Sequence, residues 1–252
     1  MINLNKDLLK IEVFDTREEM GAHAAEEAAA CMKDILSKKE EIQVVFAAAP
    51  SQNDFLAALS KKDIPWERIN AWHMDEYVGL GKDAPQRFGH FMDEHIFQLV
   101  PFKSIHYLFR EGATPEEMCE AYSKALKAVH IDIVFMGIGE NGHIAFNDPH
   151  VARFDDPEIV KIVGLDDTCR KQQVHDGCFP NLDAVPTHAL TLTIPVMMSA
   201  DRIFNIVPTA FKANAVKTAI EGPVTESCPA SVLRRHKNAT LYLDKDSAKY
   251  IL

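Results

Sequence analysis

At 252 residues, 47% hydrophobic and 25% charged, the chain suits one folded unit with a sizeable core, and residues 1–252 are read as a single domain. A formal net charge of −10, with no block of Lys or Arg, argues against a nucleic-acid partner or an anionic membrane surface. No stretch approaches the roughly 20 apolar residues of a membrane span, and the opening MINLNKDLLK lacks the apolar core of a signal peptide, so a cytoplasmic location is expected.

In chain order, KIEVFD (10–15) reads as a strand, and Thr16 followed by Glu19 makes a capping-box start. The helix it opens, over 16–39, is rich in Ala and Glu and ends in Lys, which suits both propensity and dipole. IQVVFAAA (42–49) is a continuous apolar run, after which Pro50, Ser51 and Gln52 open a helix over NDFLAALSKK. INAWHMDEY (69–77) is a third predicted strand, followed by a loop and a helical stretch over 85–100. SIHYLF (104–109), a helix start at 114–117 and the strand IDIVFMGI (131–138) continue the alternation. Late strands are predicted at 189–194, 202–207 and 239–244, with a helix over 210–221. Apolar strands separated by helices imply a sheet covered on both faces. The expected fold is α/β, doubly wound and Rossmann-like, with a mostly parallel sheet, helices on both faces and an antiparallel edge.

In open sheets of this kind ligands sit beyond the carboxyl ends of the strands. That rule selects AAAPSQ (47–52), HMDEYVGL (73–80) and GIGENGHIAFNDP (137–149). Glycines 137, 139 and 142 have a dinucleotide-like spacing, but no capped helix clearly follows, so no cofactor is expected. A loop histidine is ordinarily a hydrogen-bonded structural group. His143, however, has Asn141 and Asp148 close by in sequence, either able to orient an imidazole for proton transfer near neutral pH. The pair Asp75 and Glu76 reads equally as a solvated strand end or as one carboxylate made basic by a semi-buried site. Lys212, Ser51 and Gln52 stand at helix starts, where together they offer a phosphate site; a surface lysine is the plainer reading of Lys212. The five cysteines, at 31, 119, 169, 178 and 228, are scattered and never spaced as CxxC, so free thiols and no zinc site are expected.

MDEYVGL (74–80) and GIGENGHIAFNDP (137–149), in this order and separation, resemble the glucosamine-6-phosphate deaminase/isomerase family. The likeness continues through VPTHALTLTI (185–194), the Lys212 helix and AIEGPV (219–224). The resemblance implies aldose–ketose isomerisation of a hexosamine 6-phosphate with loss of ammonia. It casts Asp75 as the base that moves a proton between C2 and C1, His143 as the ring-opening group and Lys212 as a phosphate ligand. The family includes monomers and larger assemblies, so a homo-oligomer is among the expected forms. Asn141 stands where many members carry Asp, and Asp148 where most carry Glu. AAAPSQNDF replaces a Gly-rich turn, and His175 with Asp176 occupy the region of a phosphate-binding arginine. The basic residues of the family's allosteric site are not recognisable. The catalytic half of the site therefore looks kept and the substrate-holding half rebuilt, so a related amino-sugar phosphate is an expected alternative substrate. Two rivals stand beside this reading. A 6-phosphogluconolactonase shares the fold but follows its histidine with a different sequence from IAFNDP, and a stand-alone sugar-phosphate sensor would bind without turnover.

Overall fold

The computed structural model describes residues 1–252. The chain opens on a hairpin, β1 (Ile2–Lys6) and β2 (Leu9–Phe14), and passes into α1 (Arg17–Leu36). Thr16 caps α1 by accepting from Glu19 N at 3.2 Å. The elements that follow are β3 (Ile42–Phe46), α2 (Asn53–Leu59), β4 (Ile69–His73), β5 (Asp75–Tyr77), α3 (Phe88–Met92) and β6 (Ser104–His106). Next come α4 (Pro115–Lys127), with a reciprocal capping box between Thr114 and Glu117, then β7 (Ile133–Met136), β8 (Val160–Gly164) and α5 (Asp167–His175). The chain finishes through β9 (His188–Leu192), α6 (Ile194–Met198), β10 (Arg202–Val207), α7 (Ala213–Glu221) and β11 (Ala239–Asp244).

Eight strands form one sheet in the order β1-β2-β11-β10-β7-β3-β4-β6, parallel except for the β1–β2 edge pair. Apolar residues at both parities bury both faces. Ile42, Val44 and Phe46 of β3 pack with α1 and α2, while Val45 packs with the opposite layer, which holds Tyr122 of α4 and Val216 of α7. Alanines 24, 25, 28 and 29 of α1 are buried, which lets that helix lie low on the sheet. At Gly21 a side chain would meet the backbone of Asp54 and Phe55 at 2.8–2.9 Å, so α1 and α2 cross there at glycine distance.

The structure departs from the predicted elements most at residues 69–77, which are two strands rather than one. Met74 N donates to Phe46 O at 3.2 Å as the last tie to the main sheet, while its carbonyl accepts from Leu192 N at 2.8 Å. From there the chain enters a second, antiparallel sheet in the order β5-β9-β8. The predicted 189–194 strand belongs to this small sheet and stops at Leu192, because residues 194–198 turn into α6. Strands β1 and β8 and helix α5 were not predicted. Each is short or polar, with no long apolar run to signal it.

Candidate active site

Four adjacent strands, β10-β7-β3-β4, point their carboxyl ends at one place. From β3 the chain runs outward through β4, and from β7 it runs the other way through β10, so the gap between β3 and β7 is the switch point of the sheet. The segments leaving these strands line a single cavity: Ala47–Ala49 and Ser51, Met74 and Asp75, Gly137–Gly139 with His143, Ala145 and Phe146, and Lys212. It encloses about 60 Å³.

His143 is set by a closed hydrogen-bond system. Its Nδ1 lies 2.8 Å from Asn141 Oδ1 and 3.0 Å from Asp148 Oδ1, and its backbone N–H donates to Asn141 Oδ1 at 3.0 Å. The proton on Nδ1 is thereby assigned, and Nε2 has no protein partner on a ring that lines the cavity. Asn141 Nδ2 donates to Asp148 Oδ1 at 2.9 Å and to Asp166 Oδ2 at 2.8 Å. Burial pushes the Asp148 carboxyl up, but hydrogen bonds and charge from His143 and the Asn141 amide outweigh it, so the group sits below its usual value and stays ionised. Asp148 and Asn141 thus stand behind the imidazole rather than on the cavity. The glycines serve this packing. A side chain at Gly139 would fall 2.1–2.4 Å from three atoms of the His143 ring, and Gly142 has φ 85°. Gly139→Ala should therefore displace the imidazole and lower kcat about 10²-fold. Steady-state turnover measures it, and an unaltered kcat would remove His143 from the reaction.

Asp75 and Glu76 point opposite ways, as neighbours on a strand must. Glu76 faces inward, accepting from Tyr77 N, Phe88 N and Gly89 N at 2.9–3.0 Å, and so anchors the start of α3. Asp75 lines the cavity, is 6% exposed, and its Oδ1 has no hydrogen-bond partner. Burial, reinforced by the Glu76 charge, raises its carboxyl well above the ordinary 3.8. His73 holds the strand break in place. Its Nδ1 donates to Asp75 O at 2.9 Å, its Nε2 accepts from Leu108 N at 3.0 Å, and burial lowers it to about 4, so it is neutral. The register Asp75↔Thr191 then links the two halves of the site, because Thr191 Oγ1 also accepts from Phe146 N at 3.0 Å, three residues beyond His143.

Lys212 is the sole lysine or arginine on the cavity wall; it is 4% exposed, and its Nζ is unpaired. Burial lowers its pKa, against the pull of Asp176 and Glu140. Ser51 lines the cavity, but Gln52 does not. The Gln52 amide lies behind the wall, donating to Ser51 Oγ and Ile206 O at 3.1 Å, which corrects its expected place among ligand-binding residues. His175 is also displaced from its expected role. It is half-exposed outside the cavity, 3.3 Å from Glu140 Oε1 and stacked on Phe211. Arg170 is occupied in holding the Leu182 and Val185 carbonyls. The residues of α5 that do reach the cavity are Gln172 and Gln173, which sequence reasoning missed. The cap signal at Asp166, whose carboxylate accepts from Cys169 N at 2.7 Å, marks where α5 begins but not which of its faces turns inward. Gln172 Oε1 accepts from Glu140 N, whereas Gln173 uses only Oε1, accepting from Tyr77 OH, and keeps its Nε2 donors free. His143, Asp148 and Cys169 have potential ligand atoms within 4.8 Å of one another, but burial and Asp148 push the Cys169 thiol well up, which is unfavourable for thiolate ligation.

An oriented imidazole, a basic buried carboxylate and one unpaired ammonium at the switch point of an open sheet are the layout of a proton-transferring enzyme for small anionic substrates. Residues 15–242 match the family described as glucosamine-6-phosphate isomerases/6-phosphogluconolactonase, and the chain belongs to that family. It is 32% identical over 219 residues to a glucosamine-6-phosphate deaminase of Exiguobacterium sibiricum, covering 87% of this chain and 85% of the relative. A glucosamine-6-phosphate deaminase of Bacillus thuringiensis is 33% identical over 239 residues, covering 95% and 88%. Among solved structures, a monomeric glucosamine-6-phosphate deaminase superposes with a TM-score of 0.85 at 27% identity, covering 95% of this chain and 98% of that one. A 6-phosphogluconolactonase from Thermotoga maritima shares the fold, with a TM-score of 0.77 at 19% identity over 94% and 100% of the two chains. No helix is long and apolar enough to cross a membrane.

Proposed function

We propose that the chain deaminates a hexosamine 6-phosphate, converting glucosamine 6-phosphate or a close relative, with water, to the ketose 6-phosphate and ammonia. The observation that carries this reading is Asp75, an ionisable group on the same cavity as His143, with burial raising its basicity and no hydrogen-bond partner at Oδ1. His143 Nε2 takes the proton of the anomeric hydroxyl and returns it to the ring oxygen, which opens the sugar. Asp75 then removes the proton from C2, giving an enolamine, and delivers it to C1 while an amine proton passes to O1; the resulting imine at C2 is hydrolysed by water to the ketone and ammonia. Lys212, Ser51 and the free Gln173 amide hold the phosphate.

Incubation with glucosamine 6-phosphate should release ammonia and fructose 6-phosphate in equal amounts. A panel of hexosamine phosphates in the same assay ranks substrates, and 6-phosphogluconolactone tests the hydrolase alternative. Lactone hydrolysis with no ammonia from any amino sugar would overturn the reading.

A further inference from the structure

The loop that delivers Lys212 rests on an unfavourable backbone conformation. Thr209, between β10 and the turn at Ala210–Lys212, has φ 80° and ψ 148°. A β-branched residue at positive φ is a steric outlier, because Cβ and its substituents crowd the flanking carbonyls; glycine takes such angles freely. The Thr209 hydroxyl makes no hydrogen bond within the protein that could compensate. Yet the conformation matters, because Thr209 O accepts from Lys212 N at 3.1 Å. The direction of this peptide therefore fixes the start of α7 and the origin of the Lys212 side chain.

What holds Thr209 is Asp244, the buried last residue of β11, the strand beside β10. Both its carboxylate oxygens accept from Thr209 N, at 3.2 and 2.9 Å, and Oδ1 also accepts from Ser247 N at 2.7 Å. Charge-assisted bonds of this kind are roughly twice as strong as neutral ones. We propose that Asp244 is a positioning residue for ligand binding: by clamping the N–H of the strained Thr209, it keeps the Lys212 ammonium on the cavity wall. The proposal rests on the reading of Lys212 as the phosphate ligand.

Four variants test it: Asp244→Asn, Asp244→Asn/Thr209→Gly, Thr209→Gly and Lys212→Met. Asp244→Asn should raise KM for glucosamine 6-phosphate about tenfold with kcat within about twofold, the loss of one charge-assisted contact. Adding Thr209→Gly, which removes the strain the clamp opposes, should bring KM back to within about threefold of the parent. Labelling of Lys212 by an amine-acylating reagent, mapped by peptide mass spectrometry, should be slow in the parent, fast in Asp244→Asn and slow again in the double variant. Thr209→Gly alone should raise Tm by about 2 °C. A parental KM and slow labelling in Asp244→Asn, a KM rise that glycine does not reverse, or a lower Tm in Thr209→Gly overturns the proposal. Unchanged KM in Lys212→Met defeats the phosphate reading instead, and the labelling still decides where Asp244 holds the amine.

Discussion

Asp75→Asn should lower kcat by about 10³-fold while ligand still binds, the scale expected on removing a positioned general base. The side chain keeps its shape, the backbone bond from His73 Nδ1 is untouched, and Lys212 and Ser51 still line the same cavity. A protein that only senses sugar phosphates would keep its effect under this change, so turnover and binding measured side by side separate the two classes. In the parent, the acid limb of the kcat/KM profile should lie above the ordinary carboxylate range, because burial raises the Asp75 carboxyl well above 3.8.

The same substitution has a second, opposite effect. A carboxyl whose folded pKa is raised destabilises the protein in its ionised form. That contribution is absent below the unfolded value of 3.8, grows as pH rises toward the folded value, and is constant above it. Asp75→Asn should therefore raise Tm by about 2–4 °C at neutral pH, for roughly 1 kcal/mol gained, and the gain should vanish near pH 4. Thermal melts at several pH values measure it. A variant that loses turnover and also loses stability at neutral pH would show a structural carboxylate, not a reactive one.

The legible parts of the molecule are those whose burial is decided locally. IVFM is apolar at every position and IQVVF at all but Gln43; they form β7 and β3, each buried on both faces. The glycines after β7 announced a loop, although what they admit is the His143 ring. The break at Met74 was invisible because no Gly or Pro marks a turn between Ile69 and Tyr77; only long-range bonds to Phe46 and Leu192 divide the stretch. Which carboxylate faces the cavity was open for a similar reason. Adjacent strand residues face opposite sides, and the side is chosen by pairing with Thr191 rather than by local sequence. In α5, the stretch DTCRKQQVH has no apolar stripe to fix its rotation, so His175 was favoured where Gln172 and Gln173 turn inward. Position in the chain found the right helix, while tertiary packing chose the face.

Lys212→Met carries the second large effect. With no other lysine or arginine on the cavity wall, the substrate phosphate has one full positive charge to meet. Truncating one partner of a buried charge pair costs about 2–5 kcal/mol, so kcat/KM should fall by about 10²-fold or more, chiefly through KM. Stability should move the other way. Burial lowers the Lys212 pKa below 10.5, and its Nζ has no hydrogen-bond partner in the free protein. The charged form is thus penalised in full at pH values below its folded pKa, and the penalty fades as pH rises toward 10.5. Methionine keeps the apolar stem and removes the charge, so Tm should rise at neutral pH by several degrees, for about 1–3 kcal/mol, and converge on the parent in alkaline buffer. Saturating sugar phosphate should then stabilise the parent more than the variant, since the bound anion supplies the partner that the fold withholds from the lysine. Equal stabilisation of both proteins by ligand would place the phosphate elsewhere on the cavity.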